Sequence, residues 1–149
     1  MGKICAFTGH RILYGQLDFG LLDRVIEDLI KNGYDEFLCG MAIGFDTACA
    51  ESVIKFKQRY DIKLTACLPY AEQGDTFSEK SRKKHAEILQ KCDKIVTLSE
   101  QYFSGCMHAR DRYMVDNCDA VLCFLRRQKG GTFYTVSYAR RQGKKVIEL

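Results

Sequence analysis

Six short apolar runs alternate along this chain with stretches whose apolar residues recur at helical spacing, and that alternation constrains the fold more than any other feature. The runs are Lys3–Phe7, Glu36–Cys39, Ile62–Leu68, Lys94–Leu98, Ala120–Leu125 and Lys145–Leu149. Continuous apolar runs of this length read as strands buried on both faces of a sheet. The third alternates apolar with polar residues, which predicts an edge position for it. Between the runs, helices are expected from Asp18, a good N-cap, to Gly33, a good stop, and then over about 45–60, 78–91, 108–117 and 133–142. Strands that alternate with helices are joined by right-handed crossovers and give a parallel sheet with both faces covered. The expected fold is therefore α/β: a single domain over residues 1–149, built as a three-layer Rossmann-like sandwich around a mainly parallel six-stranded sheet in the order 3-2-1-4-5-6. In such a sheet a ligand belongs in the crevice at the carboxyl ends of the strands, where the order reverses.

Composition narrows the class of protein. With 149 residues, 46% of them hydrophobic and 28% charged, the chain can bury one substantial core. A net charge of +4 is modest and its positive residues are dispersed. Charge of that kind does not call for nucleic acid, which is not the expected partner, and it suits an anionic small molecule equally well. None of the eight cysteines is in C-x-x-C spacing, and Cys5, Cys39, Cys67 and Cys123 lie within apolar runs. They are expected to be reduced packing residues of a cytoplasmic protein, with no metal. No apolar run approaches the length of a membrane span, and the strand-like start argues against a signal peptide, so no membrane association is expected.

Three loops after apolar runs carry chemistry suited to anions. Gly40-Met41-Ala42-Ile-Gly44-Phe-Asp46 is a glycine turn that opens a helix, where free N–H groups and the helix dipole favour a phosphate or carboxylate. Thr8-Gly9-His10-Arg11 begins a connection longer than an ordinary strand-to-helix loop, and Gly130-Gly131-Thr132 opens the last helix. All three fall at carboxyl ends of strands, which suggests one shared site. The dinucleotide fingerprint G-x-G-x-x-G is absent, as is an acidic residue after the second strand, so an ordinary NAD dehydrogenase is not expected; a P-loop is absent too.

The pattern that does occur resembles the YpsA-like family of the SLOG superfamily, the Rossmann-like group that includes the LOG phosphoribohydrolases and the DNA-processing protein DprA. The resemblance is carried by Thr8-Gly-His-Arg11, by Gly40 through Glu51, by Arg112-Tyr-Met-Val-Asp-Asn117 and by Gly130-Gly131-Thr132, in the family's order. It implies binding of a nucleotide-derived ligand such as ADP-ribose, NAD or a nucleoside phosphate, with Thr8, Gly9 and Arg11 on one wall, Gly40, Gly44 and Asp46 on the other, and a phosphate at Gly130, Gly131 and Thr132. In LOG enzymes a glutamate after the glycine stretch serves N-glycosidic cleavage; here Thr135 occupies that place and cannot act as a carboxylate.

Several of these residues have more than one reading. Asp46 either contacts a ligand or complements its helix dipole, an effect of about 0.3–1 kcal/mol. Arg11, in a glycine-flanked loop, is read as a phosphate contact in preference to a surface ion pair. His10 is a polar wall, a general acid or a solvated side chain, and Arg112 faces the site or pairs on the surface. The first expectation is a binding or sensor protein for a nucleotide-like ligand that has no cofactor, with a homo-oligomer as the fold-level precedent. The alternative is a nucleotide N-glycosidase using Asp46 or, failing that, Glu72 or Asp111. The third is single-strand nucleic-acid binding through the helix bearing Lys80, Arg82, Lys83 and Lys84, with Arg126, Arg127 and Lys129.

Overall fold

The computed structural model describes residues 2–149. Strand β1 (Lys3–Gly9) leads to helix α1 (Phe19–Lys31), β2 (Tyr34–Cys39), α2 (Phe45–Phe56) and β3 (Lys63–Leu68). A 3-10 turn (Gln73–Thr76) precedes α3 (Glu79–Lys91), followed by β4 (Lys94–Thr97), α4 (Cys106–Asp116), β5 (Ala120–Phe124), α5 (Gly131–Arg141) and β6 (Lys145–Glu148). Local chemistry sets several boundaries. The Asp18 carboxylate accepts from the Leu21 N–H at 3.0 Å, and the Ser78 hydroxyl accepts from the Ser81 N–H at 3.3 Å, each satisfying a first-turn donor. At Gly44, the N-cap of α2, φ is 84° and a Cβ would collide with the Arg11 carbonyl, so only glycine allows the turn to close against the first loop.

All five strand pairings are parallel, and the sheet order is β4-β3-β2-β1-β5-β6. The α/β class, the six strands and the neighbours 3-2-1 and 5-6 follow the expectation, but the fourth strand does not: it pairs with β3 at the outer edge and leaves β5 beside β1. The third strand is correspondingly interior. Its polar Thr65 is 2% exposed because the hydroxyl donates to the Glu36 carboxylate at 2.8 Å, which removes the cost of burying it. The apolar look of the fourth run is misleading, since Ile95 stands 49% exposed on a short edge strand that begins with Lys94.

Alternation along the strands divides the core. Cys5, Phe7, Phe37, Leu64, Leu122 and Phe124 pack with residues of α1, α2 and α3 on one face. Ala6, Leu38, Cys67, Val121 and Cys123 pack with α4 and α5 on the other. All eight cysteines are free, and burial is the main cause that pushes thiols such as Cys67 up, there to about 12. No helix among the described residues is long and apolar enough to cross a membrane.

This topology decides where the site lies. The chain winds outward from β1 to β4, then returns through α4 across the opposite face to β5. The reversal point is thus between β1 and β5, in register from Cys5 with Ala120 to Gly9 with Phe124. The long return places the N-terminus of α4 over the same sheet edge as the loops after β1 and β2.

Candidate functional site

A crevice of about 300 Å³ opens at the carboxyl ends of β1 and β5. The loop after β1 lines one wall with Thr8, Gly9, His10 and Arg11; Ala42 and Asp46 come from the β2–α2 turn, and Gly131 and Thr132 from the start of α5. The three glycine-containing loops therefore line one crevice. The remaining wall is Met107, His108, Arg110 and Asp111, the first turns of α4. Of these only Asp111 was legible as a candidate.

Arg110 organises the floor. It is 6% exposed; its Nε donates to Asp111 Oδ1 at 2.6 Å, and its Nη1 donates to the Gly40 carbonyl and, at 3.4 Å, to that of Cys67. Burial works against its charge, but Asp111 and Asp46 outweigh this and hold its pKa above the ordinary value. The Gly40 carbonyl also accepts from the Gln73 amide at 3.0 Å, and Gln73 Oε1 lies 3.2 Å from His85 Nε2 on α3. Asp111 Oδ2 accepts from the Thr135 hydroxyl at 3.0 Å, and the same hydroxyl lies 2.9 Å from the Gly131 carbonyl. Thus Thr135 on α5 orients an aspartate of the neighbouring helix α4.

Asp46 sits deeper, 6% exposed, and accepts from the Ala42 N–H at 3.2 Å. Burial raises its pKa to about 7, against the pull of Arg110 and the Ala42 hydrogen bond. Its carboxyl is therefore divided between neutral and charged forms near neutrality. His10 has a different task. Its Nε2 accepts from the Arg126 backbone N–H at 2.8 Å, which places the ring proton on Nδ1 and ties the loop after β5 to the loop after β1. Burial, then Arg127 and Arg126, keep this imidazole below its usual pKa, so His10 is a neutral strut in the wall.

Other expected site residues are placed elsewhere. Arg112 does not line the crevice: its Nη1 donates to the Tyr134 hydroxyl at 2.7 Å. It lies two residues from Arg110 on α4, and a two-residue step turns about 200° around a helix, so only one of the pair can face inward. Met41 is 4% exposed in the core with φ 61°, Gly40 acts through its carbonyl, and Gly44 caps α2 behind the wall. Gly130 lies outside the crevice, in the adjoining groove. Glu72 caps the 3-10 turn and is not part of the lining. Tyr134 stacks on His108 with ring centroids 4.0 Å apart. Arg126 is committed internally, to Gln16, to the Leu149 carbonyl and to the face of Phe124.

With this geometry fixed, the comparison with known proteins is decisive for the family. The profile of the YspA SLOG family (YpsA) matches residues 17–147. The chain belongs to this family. The match includes the Gly40–Asp46 turn, α4 and the Gly130–Gly131 turn, while Thr8–Arg11 precede it. Among curated relatives, a UPF0398 protein of Halalkalibacterium halodurans is 29% identical over 132 residues, covering 85% of this chain and 70% of its own. The SPbeta prophage-derived protein YoqJ of Bacillus subtilis is 27% identical over 131 residues, covering 78% and 77%.

Two solved structures share the fold. DNA processing protein A (DprA) from Streptococcus pneumoniae superposes with a TM-score of 0.71 at 20% identity, over 99% of this chain and 50% of that one. DprA from Helicobacter pylori, described for its single-stranded DNA binding mode, gives 0.70 at 20% identity, over 98% and 64%. The chain thus spans between half and two thirds of these structures. The expectation that nucleic acid is not a partner fails here. A protein of this fold binds single-stranded DNA, so a modest and dispersed positive charge is no ground for setting nucleic acid aside.

Proposed function

We propose that the YpsA-type crevice binds a nucleotide unit through its phosphate. The observation that carries this reading is convergence: the first turns of α4 and α5 and the exposed Arg11 side chain meet at one cleft of about 300 Å³ at the point where the strand order reverses. Free N–H groups of a helix start favour an anion, and an arginine adds charge-assisted hydrogen bonds. Binding without bond cleavage is the favoured role, because the floor carboxylates are already engaged: Asp111 with Arg110 and Thr135, Asp46 with the Ala42 N–H.

The occupant is a nucleotide-derived small molecule or one nucleotide of a single strand. The likeness to the Helicobacter pylori protein supports the strand, while the crevice volume of about 300 Å³ supports a single unit. Calorimetric titration with AMP, NAD, ADP-ribose and a single-stranded oligonucleotide tests the reading. Binding by at least one of them is expected, competing with the others for the same site. No heat and no thermal shift with any at millimolar concentration would exclude it. Chromatography of the same mixtures should find no released base; release would favour the glycosidase alternative.

A further inference from the structure

A second groove begins where Arg11 leaves the crevice. It has a volume of about 330 Å³ and shares His10, Arg11 and Gly131 with the crevice. Ile12, Tyr14, Arg127 and Lys129 form its outer wall, and no aspartate or glutamate lines it. Among the described residues Arg11, Arg127 and Lys129 have no carboxylate partner, as holds for most lysines and arginines of this chain; what sets these three apart is that they surround one concave surface. Unpaired like charges around a concave surface repel one another and concentrate a positive field there. Burial is the main cause of the depressed pKa of His10, and the charges of Arg127 and Arg126 add to it.

The apolar side of the groove is equally unusual. Ile12 is 64% exposed and Tyr14 42% exposed. Tyr14 has φ 55°, a left-handed backbone that costs energy in a bulky residue and persists only where its surroundings impose it. That backbone sets the tyrosine ring edge-on to His10, with centroids 6.0 Å apart, and its hydroxyl accepts from Arg127 Nη1 at 3.1 Å. An aromatic ring held out beside unpaired cations is the surface on which a base stacks while its phosphate is neutralised.

We infer that this groove is a second nucleotide subsite: a ligand seated in the crevice continues over Gly131, placing a second phosphate on Arg127 and Lys129 and a base against Tyr14 and Ile12. The inference rests on the crevice binding a nucleotide, as proposed above. It sets the ligand class as two or more nucleotides joined through phosphate, supplied either as a free dinucleotide or as a stretch of single strand.

Titrating the full chain at low salt with thymidine monophosphate, the dinucleotide pTpT and oligo(dT) tests the subsite and separates the two sources. pTpT should bind about tenfold more tightly than the mononucleotide, equivalent to about 1.4 kcal/mol. Arg127→Ala combined with Lys129→Ala should remove that gain and leave mononucleotide affinity within about twofold, since both side chains are exposed and lie outside the crevice lining. Tyr14→Ala should also lower pTpT affinity and spare the mononucleotide. A further rise for oligo(dT), falling steeply with salt, would identify the strand as the source; equal affinity for pTpT and oligo(dT) would identify the dinucleotide. Equal affinity for mononucleotide and pTpT, or a double variant that keeps the gain, overturns the second subsite and leaves the crevice reading standing. Failure of all three probes to bind overturns both.

Discussion

The floor of the crevice and its rim are built on opposite principles. On the floor, Arg110, Asp111, Thr135, Gln73 and the Gly40 carbonyl form a closed set of hydrogen bonds, and among the described residues no buried side-chain nitrogen or oxygen lacks a partner. On the rim, Arg11, Arg127 and Lys129 are exposed and have no acidic partner. A charge that is paired and desolvated holds a backbone in place; one left unpaired at a surface awaits an anion from solution. The floor therefore shapes the site and the rim selects the sign of what enters it. Substitutions in the two regions should separate along that line, those on the floor acting on stability and those on the rim on binding.

The largest effect is expected on the floor. Arg110→Met removes the ion-pair partner of Asp111 and one donor each to the Gly40 and Cys67 carbonyls, and loss of one partner from a buried ion pair costs about 3–5 kcal/mol. Urea unfolding should show that loss; a change below about 1 kcal/mol would mean that the floor does not depend on the arginine. Next is Gly131→Val. A Cβ at Gly131 meets nothing within 4 Å, so the empty fold should tolerate the side chain. Its branched carbons would nevertheless fill the crevice mouth and block approach of a phosphate to the α5 N–H groups. Nucleotide binding should fall by at least about a hundredfold, equivalent to about 2.7 kcal/mol, with unchanged thermal stability. Retained binding would place the phosphate elsewhere.

The contrast between floor and rim also separates what the sequence discloses from what it hides. Rim and turn residues carry local signals: a glycine turn before a helix, an arginine in a long loop, a double glycine at a helix start. These placed Thr8, Gly9, Arg11, Asp46, Gly131 and Thr132 around one crevice. Arg110 carries no such signal, because its partners Gly40, just after β2, and Cys67, on β3, are distant in sequence and its inward direction depends on how α4 crosses the sheet. For Arg112 the sequence leaves facing the site and pairing on the surface both open; helical phase decides between them, and it shows only once α4 packs against α5. The misplacement of the fourth strand has a similar origin. Edge and interior positions differ by what covers them, and an exposed Ile95 looks the same in sequence as a buried one.

On the rim, Arg11→Ala should leave unfolding unchanged, because Arg11 is exposed and has no ion-pair partner to lose. A charge-assisted hydrogen bond contributes about 1.5–3 kcal/mol, so nucleotide affinity should drop about tenfold or more. The loss should shrink as salt rises, since an exposed contact is screened. An affinity equal to that of the parent would remove Arg11 from the site. A loss of stability in its place would move Arg11 from the rim to the floor class and blur the division between them.

The smallest effect on binding should come from Asp46, where floor and rim meet. With its pKa raised to about 7 by burial, the folded carboxyl keeps its proton over a range in which the unfolded one, near 3.8, has released it. The folded state then binds more protons than the unfolded state between about pH 4 and pH 7, so this residue's contribution to stability is full below that window and is lost as pH rises through it. Asp46→Asn keeps an oxygen to accept from the Ala42 N–H and has no charge to gain. The stability difference between variant and parent should therefore grow in the variant's favour from pH 5 to pH 8. Taking this difference cancels His10 and His85, whose lowered pKa values give a slope of opposite sign in both proteins. Nucleotide affinity should follow the same group: in the parent it should weaken by a few-fold above pH 7, as an ionised Asp46 confronts the phosphate, and in the variant it should stay level. Parallel urea and calorimetric titrations at the two pH values measure both quantities, and identical slopes for the two proteins would show that Asp46 does not titrate in this range.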